Sequence, residues 1–164
     1  MTGDAGRVRW VLDASVGIKL FIPEDYSTQA EALFSPLAGG PRTEMVVPDL
    51  FYAECANILW KHVRRFGYSG SDSRKDIIEL KSLDLKVVST AFLMPRALDL
   101  AVKWEITAYD ACYLALAEEL KAPLITADLK LLKRLKGGQV SLKWIGDLSD
   151  GTGKSKSRDG VRHS

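Results

Sequence analysis

Four carboxylates occupy positions where solubility does not require an acid. Asp13 ends the apolar run Val8, Trp10, Val11, Leu12, and Asp128 follows the short run Leu124-Ile125-Thr126 almost at once. Glu54 sits among Ala53, Cys55 and Ala56, and Asp110 is the only charge from residue 107 to residue 117. A helix that is apolar nearly all round is a buried one, so Asp110 enters an interior or a cleft. An acid that follows a strand, or lies one to two turns into the next helix, can face the C-terminal edge of a parallel sheet, where open α/β sheets place their ligands. Four acids in one cleft would repel one another, and each ionised group would lose hydration. Divalent cations are the usual remedy, and a carboxylate-rich, oxygen-only donor set suits Mg2+ or Mn2+. With His62 and His163 as the only histidines, imidazole acid–base or zinc chemistry has little to work with.

Each acid also has a structural reading, and taken singly these stay open. Thr107-x-x-Asp110 is a capping-box pattern with the acid near a helix N-terminus. Asp128 can be the N-cap of the helix that begins at Leu129, and Asp13 can cap the turn at Ser15. Glu54 lies too deep in its helix to cap it; its structural reading is a solvated position or a pair with Lys61. Asn57 and Lys61, three and seven residues on from Glu54, share its helix face.

The elements that must position these residues alternate between strand and helix. Short apolar or β-branched runs predict strands over residues 9–12, 45–47, 86–89, 124–126 and 140–145, the last with edge character. Ser15 is a good N-cap for a short helix to Leu20, ended by Pro23, and a second helix runs over 27–37 before the Gly39-Gly40-Pro41 loop. Pro48 opens a helix to Phe66 that stops at Gly67. Further helices are expected over 72–83, from Pro95 to Trp104, from Thr107 to the break at Ala122-Pro123, and over 129–135 before Gly137-Gly138. Every gap between strands is long enough for the crossover that parallel pairing needs. The expected architecture is a three-layer α/β/α sandwich around a parallel sheet.

Composition bounds the rest. A length of 164 residues, 46% of them apolar and 27% charged, suits one ordinary globular domain. The net charge of +2 is misleading: from Gly151 on, four basic residues face one acid, which leaves 19 basic against 20 acidic residues elsewhere. Overall basicity is therefore no argument for nucleic-acid binding. Residues 1–7 read as a flexible N-terminus, 8–148 as the folded domain and 149–164 as a disordered basic tail. Cys55 and Cys112 lie in apolar helical patterns, which fits buried free thiols in a reducing cytoplasm better than a disulfide. No apolar run approaches the roughly 20 residues that span a bilayer, and MTGDAGRVRW lacks the apolar core of a signal peptide, so a cytoplasmic protein away from membranes is expected.

The segments VLDASVGIKLFIPE, PDLFYAECANIL, TAYDACYLALAEEL and APLITADLKLLKRL, in this order and spacing, resemble the conserved blocks of PIN-domain proteins, especially VapC-type ribonuclease toxins. The resemblance spans residues 11–145; the basic tail falls outside it. It implies a PIN-like fold in agreement with the pattern above. It also implies that Asp13, Glu54, Asp110 and Asp128 are the catalytic, metal-binding acids, with Ser15, Asn57 and Thr126 as donors that orient carboxylates or waters. The implied activity is Mg2+- or Mn2+-dependent hydrolysis of RNA phosphodiesters, leaving 5′-phosphate and 3′-hydroxyl ends, by a metal-activated water. The implied partners are the RNA substrate, a cognate antitoxin that covers the site and a second copy in a homodimer. RNA approaching an acidic cleft needs basic flanks, for which Lys19, Lys61, Arg64, Arg65, Lys130, Lys133 and Arg134 are candidates. Phe21, Phe51, Trp60 and Phe66 are candidates either for partner surfaces or for the core.

The alternative is a catalytically silent PIN-like module that binds RNA or protein. Two other enzyme classes fit less well. An aspartate-nucleophile phosphatase wants a second acid two residues after Asp13, where Ser15 stands, and a receiver-type phosphoacceptor wants an early acid pair that this chain lacks.

Overall fold

Hydrophobic strands flanked by helices on both sides have one economical arrangement, a parallel sheet covered on both faces, and the chain adopts it. A computed structural model describes residues 7–35 and 43–149. The strands are β1 (Val8–Leu12), β2 (Thr43–Pro48), β3 (Lys86–Val88), β4 (Leu124–Thr126) and β5 (Leu142–Trp144), all parallel, in the order β3-β2-β1-β4-β5. The helices are α1 (Ala14–Gly17), α2 (Ser27–Phe34), α3 (Leu50–Phe66), α4 (Gly70–Ser82), α5 (Thr90–Trp104), α6 (Ala108–Leu120) and α7 (Leu129–Arg134). Short 3-10 turns follow α1 (Ile18–Leu20) and β5 (Ile145–Asp147).

Strand order sets the cleft. From β1 the chain steps outward to β2 and β3, then returns across the sheet to β4 and continues outward to β5. With right-handed crossovers, the outward steps put α1–α4 over one face and the return steps put α5–α7 over the other. Accordingly α5 packs on α6, α6 on β1 and β2, and α1 on α3. The reversal lies between β1 and β4, whose pairing is short: Val11 opposite Leu124 and Leu12 opposite Ile125. Chains leaving the tops of these two strands diverge and open a crevice there. Val11, Leu12, Leu124 and Ile125 have no exposed surface, so this seam is also the centre of the core.

Several boundaries differ from expectation. Asp13, not Ser15, precedes α1 as its N-cap, and Ser15 lies within the helix. Pro48 closes β2 rather than opening α3, which begins at Leu50 after Asp49. Pro95 does not start α5; the helix begins at Thr90, and Pro95 lies inside it on the exposed side. Thr90 is held at this end because its backbone N–H and its hydroxyl both donate to Asp49 Oδ1. Gly67 ends α3 in the left-handed region (φ 67°), where its lack of a Cβ removes the steric cost. The predicted end of the second helix at Leu37, the Gly39-Gly40-Pro41 loop, residues 1–6 of the N-terminus and nearly all of the tail lie outside the described residues.

Candidate active site

Asp13 is built into the seam from three directions. Its backbone N–H donates to Ile125 O at 3.1 Å, continuing the β1–β4 ladder one step past β1. Its carbonyl accepts from Val16 N and Gly17 N and so begins α1. Its carboxylate takes hydroxyl bonds from Ser15 Oγ and from Thr126 Oγ1, both at 2.9 Å and both on Oδ2. Oδ1 has neither bond, and no fully buried side-chain oxygen among the described residues lacks a partner. The 7% of Asp13 that stays exposed therefore includes Oδ1, its open face.

The two hydroxyls also tie Asp13 to the turn after β4. Ser15 Oγ accepts from Ala127 N at 3.1 Å, and Thr126 Oγ1 accepts from Asp128 N at 3.0 Å. Asp128 then caps α7: its Oδ1 accepts from Lys130 N and Leu131 N. The capping reading of Asp128 holds, and it leaves Oδ2 outside the cap.

Glu54 reaches the same place from α3. Phe51, Cys55 and Leu59, spaced by four, form the buried face of that helix, and Glu54 lies half-buried at its edge. The approach of α3 to α1 is close because Gly17 has no side chain: a Cβ there would lie 2.5 Å from the Phe51 ring. Asp110 comes from the first turn of α6, on the opposite side of the sheet. Thr107 is the N-cap there, its hydroxyl accepting from Asp110 N at 3.1 Å, so the cap fixes where the acid stands. Seven consecutive residues after Asp110 are buried, as expected for a helix held between the sheet and α5.

Burial and a neighbouring acid act together on three of the four carboxyls. Burial is the largest influence on Asp13 and holds its carboxyl above the usual range. Its bonds from Thr126 and Ser15 pull the other way, while Asp110 and Asp128 push it up further. Glu54 is raised, first by burial and then by Asp13 and Asp110, against a bond from Tyr113 that lowers it. Asp110 is raised by burial and by Asp128, against the Thr107 hydroxyl.

Tyr113 is the functional candidate that sequence reasoning missed. Its hydroxyl donates to Glu54 Oε1 at 2.6 Å, from α6 to α3, with the ring only 1% exposed. In the sequence it is one more large residue in an apolar helix; its place one turn after Asp110 was the signal available.

Other expected participants divide. Ser15 and Thr126 bond Asp13 directly, whereas Asn57 stands exposed on α3. Lys19 is not a free basic flank: it is buried and paired with Glu24 at 3.0 Å. Arg134 donates to the Glu105 carbonyl, while Lys61, Arg64, Arg65, Lys130 and Lys133 are exposed. Phe51 belongs to the core with no exposed surface, whereas Trp60 (57%) and Phe66 (73%) are exposed.

The donor chemistry fits a hard divalent cation. Among the described residues, no three acidic, histidine or cysteine side chains stand together as a ready-made cage. What fits is the type of the donors: four carboxylates are an oxygen-only set of the kind that suits Mg2+ or Mn2+.

Comparison with known proteins agrees with this architecture. The PIN domain family model matches residues 10–137. The chain is 38% identical over 132 residues to ribonuclease VapC3 of Pyrobaculum aerophilum, covering 77% of this chain and 95% of that protein. Among solved structures it resembles PAE2754 of Pyrobaculum aerophilum, with a TM-score of 0.60 and 24% identity over 87% of this chain and 88% of that one. It also resembles a toxin–antitoxin complex from Klebsiella pneumoniae, with a TM-score of 0.54 and 17% identity over 79% and 92% of the two chains. The structural likenesses share the fold; the family match and the sequence relative go further, and by them the chain belongs to the PIN-domain family, in its VapC-type branch.

Proposed function

We propose that this chain is an endoribonuclease, the toxin of a toxin–antitoxin pair, and that it hydrolyses RNA phosphodiesters with Mg2+ or Mn2+ held by Asp13, Glu54, Asp110 and Asp128. The observation that carries the reading is the crowding of acids at the β1–β4 seam: Asp13 after β1, Glu54 on α3 and Asp110 on α6 are each raised by burial and by a neighbouring acid of the set. A bound divalent cation supplies charge neutralisation, an activated water and stabilisation of the leaving oxygen. The chain's own part is positional. Ser15 and Thr126 lock Oδ2 of Asp13 so that Oδ1 points the remaining charge outward. Thr107 fixes the first turn of α6 beneath Asp110, and the two amides on Asp128 Oδ1 hold that carboxylate at the rim. The exposed side chains of Lys61, Arg64 and Arg65 on α3 and of Lys130 and Lys133 on α7 are the basic groups that would offset the repulsion between these acids and an RNA backbone.

The sequence relative named a ribonuclease and the structure named a toxin–antitoxin complex support this activity and an antitoxin partner. Ala91, Pro95, Leu98 and Val102 form an exposed apolar stripe along α5 with the four-three-four spacing of a helix contact, which supports a homodimer. Buried free thiols at Cys55 and Cys112 support a reducing cytoplasm, and no described helix is long and apolar enough to cross a membrane. Replacing Asp13→Asn should abolish Mg2+- and Mn2+-dependent cleavage of an RNA oligonucleotide while circular dichroism stays that of the native fold. Full activity in that variant, purified free of contaminating nuclease, would sink the assignment.

A further inference from the structure

Each of the other acids has its own means of orientation: two hydroxyls for Asp13, two amides for Asp128, and a capped first turn for Asp110. Glu54 is different. It stands mid-helix, where no free backbone amide is available to it, on a side chain with three rotatable bonds. The group that meets it is the Tyr113 hydroxyl, at 2.6 Å on Oε1.

We infer that Tyr113 is the positioning residue for Glu54, holding one carboxylate oxygen so that the other is presented to the divalent cation. The inference rests on the metal-dependent reading above. Three features carry it. The Tyr113 ring is 1% exposed, so the phenol oxygen is fixed by core packing and only its O–H torsion is free. The phenol, on α6, spans to α3 and lies one turn beyond Asp110, so a single helix sets the positions of two of the four acids. Finally, a hydroxyl donating to one oxygen leaves the second with its lone pairs available, which makes Glu54 a one-oxygen ligand. Ordering the carboxylate before the cation arrives removes that ordering cost from binding. Partners that orient a ligand in this way typically carry a 10–100-fold effect on metal affinity.

Tyr113→Phe keeps the buried ring and removes only the hydroxyl. Calorimetric titration with Mn2+ should show about 10–100-fold weaker binding in the variant than in the parent protein. In cleavage assays, the half-saturating Mn2+ concentration should rise by a similar factor, while KM for an RNA oligonucleotide at saturating Mn2+ stays unchanged. Equal Mn2+ affinity in the two proteins would overturn the positioning role and leave the metal-dependent reading standing. Loss of RNA binding in parallel with Mn2+ binding would overturn it too, because general loosening of the core moves both. If the parent protein binds no Mn2+ or Mg2+, the metal reading falls and takes this inference with it. Should Tyr113→Phe lower stability, comparing Glu54→Ala with and without Tyr113→Phe decides the matter: an equal further loss of Mn2+ binding without Glu54 refutes a role through Glu54.

Discussion

Asp13 sits in the folded protein against its own preference for water, and that has a measurable sign. Its folded carboxyl is raised above the ordinary value, chiefly by burial. Between those two values the folded state therefore binds more protons than the unfolded state. Its contribution to stability is present below the ordinary carboxylate range near pH 4 and is lost as pH rises through the raised value. Asp13→Asn removes the ionisation, and an amide oxygen can still accept from Ser15 and Thr126. The metal-free variant should thus unfold at a higher temperature than the parent at pH 7, with the gap closing towards pH 4; a variant less stable at both ends of this range would refute the account. Added Mn2+ should narrow the gap by stabilising the parent alone. The types of these acids were readable in the sequence because an acid just after an apolar strand is conspicuous. Tyr113 was not, since a tyrosine in an apolar helix has the same appearance whether its hydroxyl meets water, backbone or a carboxylate. Lys19 misled for the converse reason: its charge was visible, its burial against Glu24 was not.

At the scale of elements, the site depends on how closely α1 meets α3. Gly17 permits this because the Phe51 ring occupies the space a side chain would need. The backbone at Gly17 is helical, so alanine is excluded by contact rather than by conformation. Gly17→Ala should cost about 1–3 kcal/mol by overpacking, lowering the melting temperature by roughly 2–4 °C per kcal/mol. Pairing it with Phe51→Leu should recover part of the loss in denaturant titrations; a neutral Gly17→Ala would show that the helices have slack. The strand and helix order was legible from periodicity, but several ends were not. Pro48 and Pro95 both read as helix starts because proline favours that position. In the fold, the bond from Asp49 N to Val88 O carries the β2–β3 ladder past Pro48, and the Asp49–Thr90 bonds fix the start of α5 ahead of Pro95. Contacts between segments far apart in sequence decided those ends, and local pattern contains no trace of them.

At the scale of the whole molecule, the apolar stripe on α5 is an exposed face that the described part of one copy does not cover. Leu98 and Val102 are 61% and 74% exposed on a helix whose other face, at Leu93, Ala97, Leu100 and Ala101, is buried. On the proposed homodimer, Val102→Lys should convert a dimeric parent to a monomer in light scattering; a monomeric parent would refute the dimer, and a variant that remains dimeric would place the contact elsewhere. The sheet order has a further consequence. β1 is made first and lies at the centre, yet its neighbour across the seam is β4, and the bond from Thr126 to Asp13 joins residues 113 apart. A chain emerging from the ribosome holds Asp13 and its Ser15 partner early, but the bonds from the β4 side wait until Thr126 arrives, and Asp110 and Asp128 also come late. The four acids therefore cannot come together before the chain has been made through Asp128. Under the proposed nuclease reading, the message and the machinery producing the chain meet no formed centre until β4 and the turn after it have been made.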